Sequence, residues 1–112
     1  MNHFKVLIAN GELRPGDEIP SRRELARLFQ INPNTVQRAY KEMEDAQLIH
    51  TERNYPSKVT TDEAVLIQVR EELLHHAVET FVDAIHLIQV PMEEVLARVE
   101  NRINELERED DR

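Results

Sequence analysis

Two helix-start signals, at Ser21 and Asn32, constrain this chain more than any other feature. Ser21 and Glu24 have the spacing of a capping box, in which a hydroxyl accepts from one orphan backbone N–H of the first turn and a carboxylate accepts from another. Asn32-Pro33 repeats the signal, because Asn is a strong N-cap and proline at the first helical position lacks only an N–H that would have no partner there. Leu25, Leu28 and Phe29 supply the expected buried face of a helix at about 21–29. Val36, Ala39, Tyr40 and Met43 do the same for a helix at about 33–46. Gln30-Ile31-Asn32 join the two, so the pair reads as a helix-turn-helix. Such a turn favours glycine, and here Gln30 or Asn32 takes that place.

The flanking segments fit around this motif. Phe4, Leu7 and Ile8 mark the end of a first helix, its start left open, with Gly11 where a left-handed residue would stop it. Glu12 to Pro20 carries a Pro15-Gly16-Asp17 turn and reads as an ordered loop anchored by Leu13 and Ile19. His50 to Arg53 and Lys58 to Thr60, around Asn54-Tyr55-Pro56-Ser57, read as two short strands and a turn, a wing. A long helix is expected from Asp62 to Gln89, opened by a Thr60/Glu63 capping box, with Leu66, Val69, Leu73, Ala77, Phe81, Ile85 and Ile88 at steps of three or four. Val90-Pro91 breaks it. Val95 or Leu96, then Val99, Ile103 and Leu106, give a last helix with nearly heptad spacing, ending in an acidic stretch, Glu107 to Asp111, expected to fray. The fold class is mostly α with a small β-wing: a winged helix-turn-helix over 1–61 and a two-helix dimerisation tail over 62–112.

Charge divides the chain at the same place. Its net charge is -8, which at first argues against a nucleic-acid ligand. Residues 1–61 nevertheless carry nine Lys/Arg against eight Asp/Glu, a balance of +1, while 62–112 carry five against fourteen, a balance of -9. Within 20–42 there are five basic residues and two acidic ones. What matters for DNA is the potential at the contact face, so a locally basic helix-turn-helix on an acidic chain is compatible with binding. The absence of cysteine excludes a disulfide framework and a thiolate zinc site, and fits a reducing cytoplasm. No apolar run approaches the ~20 residues of a membrane span, and no signal-peptide pattern is read, so a soluble protein is expected.

The run Pro20-Ser21-Arg22-Arg23-Glu24-Leu25-Ala26, followed by Asn32-Pro33-Asn34-Thr35-Val36-Gln37-Arg38-Ala39-Tyr40, resembles the N-terminal domain of GntR-family regulators. Gly11 to Asp17 matches that family's lead-in, and the resemblance covers about residues 5–60. The short tail and the Asn-Pro-Asn-Thr start are similar to the YtrA-type branch. This resemblance implies a homodimer whose recognition helices enter successive major grooves of double-stranded operator DNA, with the wing tip in a neighbouring minor groove. It implies DNA contacts by Arg22 and Arg23, by Asn32, Asn34, Thr35, Gln37 and Arg38, and by Arg53, Asn54 and Lys58 in the wing. Arg23 matches the family's Arg on the preceding helix and has the geometry to grip guanine O6 and N7, while Gln37 suits adenine. Dimerisation is expected through Leu73, Ala77, Phe81, Ile85, Leu96, Val99 and Ile103. Two departures stand out: Asn54 where many relatives have a wing glycine, and Gln47 where many have a glycine before the first wing strand. Asn tolerates the left-handed region better than other non-glycine residues.

Other readings compete at several residues. The arginines of 22–38 could form a solvated helical face. His75 and His76 lie about 15–16 Å along the helix from His86, too far for one ion, so no metal site is called for. Apolar stripes at helical spacing suit a core or dimer seam better than a cofactor pocket, and no cofactor is expected. Glu71-Glu72 and Glu93-Glu94 are adjacent and do not face one another, and no nucleophile accompanies them, so no catalysis is supported. The expected function is a repressor-type operator-binding homodimer, and the branch resemblance suggests a neighbouring transporter operon as its target. A small-molecule effector is left open, although a two-helix tail offers little of the roughly 300 Å³ such pockets need. The rival is a protein-interaction module that uses the acidic tail, and an enzyme ranks last.

Overall fold

Both expected helix starts form in the computed structural model, which describes residues 2–111. The chain runs α1 (Asn2–Ala9), α2 (Arg22–Phe29), α3 (Pro33–Asp45), β1 (Ile49–His50), β2 (Lys58–Val59), α4 (Glu63–Ile88) and α5 (Met92–Asp110). The Ser21 hydroxyl accepts from the Glu24 N–H at 3.1 Å, while no return bond to the Glu24 carboxylate is found among the described residues. Asn32 Oδ1 accepts from the Asn34 N–H at 2.8 Å, with Pro33 as the first helical residue. Gln30, at φ 51° and ψ 43°, is the left-handed residue of the turn, and Asn32 is the cap that follows.

Two compact units divide within α4, one running through Leu74 and the other beginning at His75. The first has a core drawn from each of its elements: Ile8 of α1, Ala26 of α2, Val36, Tyr40 and Met43 of α3, Ile49 and Val59 of the wing, and Val69 of α4. The expected buried face of α2 needs correction, since Leu28 and Phe29 are 53% and 65% exposed. Ala26 is the residue α2 buries, with Leu25 half-buried beside it. A rotation of about 100° per residue carries Leu28 to the far side, and Phe29 is the last residue of the helix, against the turn.

The loop before α2 is more than a connection. Gly16 N–H donates to the Val59 carbonyl, Val59 N–H to Asp17 and Ile19 N–H to Ser57, each at 2.9 Å, so the loop pairs with the free side of β2. On the other side β1 and β2 are antiparallel, with Ile49 opposite Val59 and His50 opposite Lys58. The expected box at the start of α4 is also corrected. Thr60 is fully buried, and its hydroxyl accepts from the Asp62 N–H at 3.1 Å and meets His50 Nε2 at 3.3 Å. Asp62 caps the helix instead, its Oδ1 accepting from the Ala64 N–H at 3.0 Å. Val65, Leu66 and Leu73 pack against the core beside Val69, which is why this unit extends past Thr61.

The second unit comprises the rest of α4 and α5, separated by Gln89 at φ 52° and by Val90-Pro91. No residue of α5 is buried. Helix continues through the acidic, exposed end of the chain to Asp110, and the Asp111 N–H donates to the Glu107 carbonyl at 3.2 Å. Among the described residues no helix is long and apolar enough to cross a membrane.

Candidate nucleic-acid interface

α3 buries Val36, Tyr40 and Met43 and leaves Asn34, Thr35, Gln37 and Arg38 exposed. The side chains at its N-terminal turns therefore point away from the core. Pro33 has no N–H, and the Asn34, Thr35 and Val36 N–H groups donate to the Asn32 side chain and carbonyl, so contacts to a ligand here fall to the side chains. Arg23, exposed on α2, and Gln37 line one cleft of about 520 Å³, together with Arg27, Ile31 and Pro33. No carboxylate lines it. The cleft brings together the guanidinium and the amide that suit guanine and adenine edges.

Arg53, Asn54 and Lys58 are all exposed on the wing. The Tyr55 N–H donates to the Glu52 carbonyl at 3.1 Å and closes a four-residue turn whose third residue, Asn54, has φ 71°. That is the position where a turn of type II requires a positive φ and selects Gly or Asn. Gln47 likewise has φ 62°. Both departures from the family's glycines thus keep the glycine-type backbone and change only the side chain.

Two of the expected DNA contacts are engaged within the protein. The Arg22 guanidinium is ion-paired with Glu44 and lies 5.5 Å from the centroid of the Tyr40 ring, so it is half-buried and not free like Arg23. Asn32 spends its side-chain oxygen on the cap of α3. The Tyr40 hydroxyl donates to the Pro20 carbonyl; burial pushes its pKa above the ordinary value, the Arg22 charge opposes that and Glu24 adds to it. Sequence reasoning missed Glu44, Thr51 and Ser57, which share a hydrogen-bonded cluster with Arg22. Complementary charge at Arg22 and Glu44 was the only signal, and 22 residues of separation hid it.

The expected dimerisation residues do not form one set. Leu73 packs half-buried on the core of the first unit. Ala77 is exposed on α4. Within the second unit Phe81, Ile85, Val99 and Ile103 line an apolar groove of about 490 Å³, and Leu96 joins Phe81 and Ile85 along a smaller one of about 320 Å³. The larger groove is open to solvent, and its volume is above the roughly 300 Å³ of small-molecule pockets.

A helix-turn-helix with an outward polar start on its second helix, followed by a two-stranded wing, defines a winged helix-turn-helix DNA-binding protein. The chain belongs to the gntR family of bacterial regulatory proteins, which it matches over residues 2–59. It is similar to the HTH-type transcriptional regulator YhcF of Bacillus subtilis, 34% identical over 85 residues that span 76% of this chain and 70% of that one. It is also similar to the HTH-type transcriptional repressor YtrA of the same organism, 38% identical over 79 residues, 65% of this chain and 61% of that one. Among solved structures, a GntR family transcriptional regulator from Listeria monocytogenes matches with a TM-score of 0.82 and 29% identity, over 88% of this chain and 87% of that one.

Proposed function

We propose that this chain is a cytoplasmic, repressor-type regulator that binds a palindromic operator as a homodimer. The observation that carries this reading is the exposed row Asn34, Thr35, Gln37 and Arg38 at the start of α3, beside a cleft that Arg23 shares with Gln37. Arg23 and Gln37 read base edges; Asn34, Thr35 and Arg38 hold phosphates and fix the register. Arg53, Asn54 and Lys58 reach the minor groove from the wing. The apolar groove of the tail is filled in this reading by a second subunit, since Phe81, Leu96 and Ile103 are 43%, 59% and 49% exposed along two helices of which neither covers the other's apolar face, and a contiguous apolar face of this kind marks a protein contact. The tail then sets the separation of the two recognition helices and so the half-site spacing. Similarity to the repressor YtrA supports the direction of regulation, and the branch resemblance supports a neighbouring transporter operon as the target.

The test is binding to a labelled fragment of the protein's own promoter against unrelated DNA across a salt series, for wild type and Arg23→Ala. Wild type is expected to prefer its own promoter, and the variant to lose that preference while retaining a salt-dependent general affinity. Equal, weak binding of both proteins to both DNAs would remove the operator reading and favour the acidic tail as a protein-docking module.

A further inference from the structure

We propose that Glu44 is a positioning residue that ties the wing to the helix-turn-helix and thereby sets how well the minor groove is read. This rests on the operator-binding reading above. The Glu44 carboxylate, near the end of α3, accepts from the Arg22 guanidinium at the first turn of α2 and from the Thr51 hydroxyl at 3.1 Å. Thr51 and Ser57 meet oxygen to oxygen at 2.6 Å. A hydroxyl has one proton, and Thr51 spends its proton on Glu44, so Ser57 must donate to Thr51. The Ser57 carbonyl in turn accepts from the Ile19 N–H at 2.9 Å, in the loop ahead of α2.

One carboxylate oxygen therefore joins both helices of the reading head to both arms of the wing. Thr51 and Ser57 flank the loop that carries Arg53 and Asn54, so they are its base. The wing's own ladder has only two residues in each strand, too short to fix the direction of the loop beyond it. Arg22 is in turn held by more than its charge, because its guanidinium lies over the Tyr40 ring and Tyr40 is anchored to the Pro20 carbonyl. An isolated, partly exposed ion pair contributes little to stability. Here the same pair acts as the fixed end of a lever, and its effect falls on the placement of the wing tip.

The experiment compares wild type, Glu44→Ala, Glu44→Gln and Thr51→Val, each as the full chain. Amide hydrogen exchange is measured without DNA at Tyr55 and Ile19, whose N–H groups donate to the Glu52 and Ser57 carbonyls at the tip and base of the wing. Groove-resolved footprints are taken on a duplex that wild type has enriched from a random-sequence library: dimethyl sulfate reports guanine N7 in the major groove, and hydroxyl radicals report the minor groove. In Glu44→Ala the Tyr55 and Ile19 amides exchange about tenfold faster, minor-groove protection is lost, major-groove protection persists, and affinity falls about 3- to 10-fold. Glu44→Gln keeps an acceptor for Thr51 and loses less. Thr51→Val leaves the Arg22 pair intact and still loosens the wing, so it carries the test if Glu44→Ala does not fold. Unchanged wing exchange in a folded Glu44→Ala overturns the proposal, and so does loss of protection in both grooves together. If wild type enriches no duplex, the operator-binding reading falls instead, while the exchange measurement still decides whether the tether exists.

Discussion

The two units of this chain use apolar residues in opposite ways. In the first, Ile8 of α1, Ala26 of α2, Val36, Tyr40 and Met43 of α3 and Val69 of α4 are covered by one another and by the wing, and Leu48, Ile49 and Val59 are almost completely buried. In the second, Leu87, Ile88, Leu96 and Ile103 stand largely open to water, and α5 buries nothing. Periodicity alone would rate the stripes alike; the difference is whether the chain supplies a cover. Only the first unit can gain its stability from its own core, and the second leaves uncovered the surface that the proposed homodimer would bury.

The largest expected effect tests the first half of that contrast. Leu48→Ala removes a side chain that is 1% exposed and should cost about 2–5 kcal/mol. Thermal or urea unfolding should show the loss equally at low and high protein concentration, because the cavity lies inside one chain. A loss that shrank with concentration would mean that the core of the winged unit also depends on association. The matching test of the tail is Phe81→Asp, which places a carboxylate in the apolar groove. Sedimentation equilibrium should show the dimer dissociation constant rising by at least about 100-fold, while the helix-turn-helix stays folded. A wild-type chain that sediments as a monomer would break the comparison at its root.

A smaller effect separates two neighbouring arginines of the first unit, one open to solvent and one held within the chain. Arg23→Ala should weaken binding to the selected duplex about 10- to 100-fold with no change in melting temperature, since its guanidinium is held by no partner within the chain among the described residues. Arg22→Ala should act differently: the ion pair to Glu44 and the contact with Tyr40 are lost, so stability falls along with affinity. Measured side by side by titration and thermal unfolding, the two arginines should part. Equal behaviour in both would return Arg22 to the set of direct DNA contacts.

How much of this was legible in the sequence follows from the range of each interaction. Ser21, Asn32-Pro33 and Asn54 act on backbone groups within three residues of themselves, and each of them does so as its local pattern announces, although among the described residues Glu24 does not return the second bond of the box. Failures occurred where a distant partner decides. Arg22 reads as one more exposed cation of a basic helix until Glu44, on the next helix, is seen to hold it. Thr60 reads as a cap, yet its side chain is drawn into the core between the wing and α4, and the cap passes to Asp62. Leu28 and Phe29 read as buried because they are apolar. Periodicity measures spacing around a helix and does not say which side the neighbour occupies, and the small Ala26 was the actual contact. The tail groove had the opposite problem: its lining was legible at Phe81, Ile85, Val99 and Ile103, and its size was not, because volume depends on how far apart the two helices stand.

The smallest expected effect bears on the backbone. Gln47 and Gln89 both hold positive φ, 62° and 52°, one at the entry to the wing and one at the break between α4 and α5. A side chain in this region costs roughly 1–2 kcal/mol, and glycine relieves the cost while returning about 0.5–1 kcal/mol to the unfolded chain as entropy. Gln47→Gly should therefore raise stability by about 0.5–1 kcal/mol, seen as a melting temperature a few degrees higher at any protein concentration. Gln89→Gly relieves the same strain in a unit without a core of its own. If that unit is ordered by its partner, the gain enters the association step, and the dimer should tighten by about 2- to 5-fold while melting of the winged unit stays where it was. A concentration-independent gain at both positions would show instead that the hairpin holds its shape alone, and the contrast between the two units would lie in exposure and not in stability.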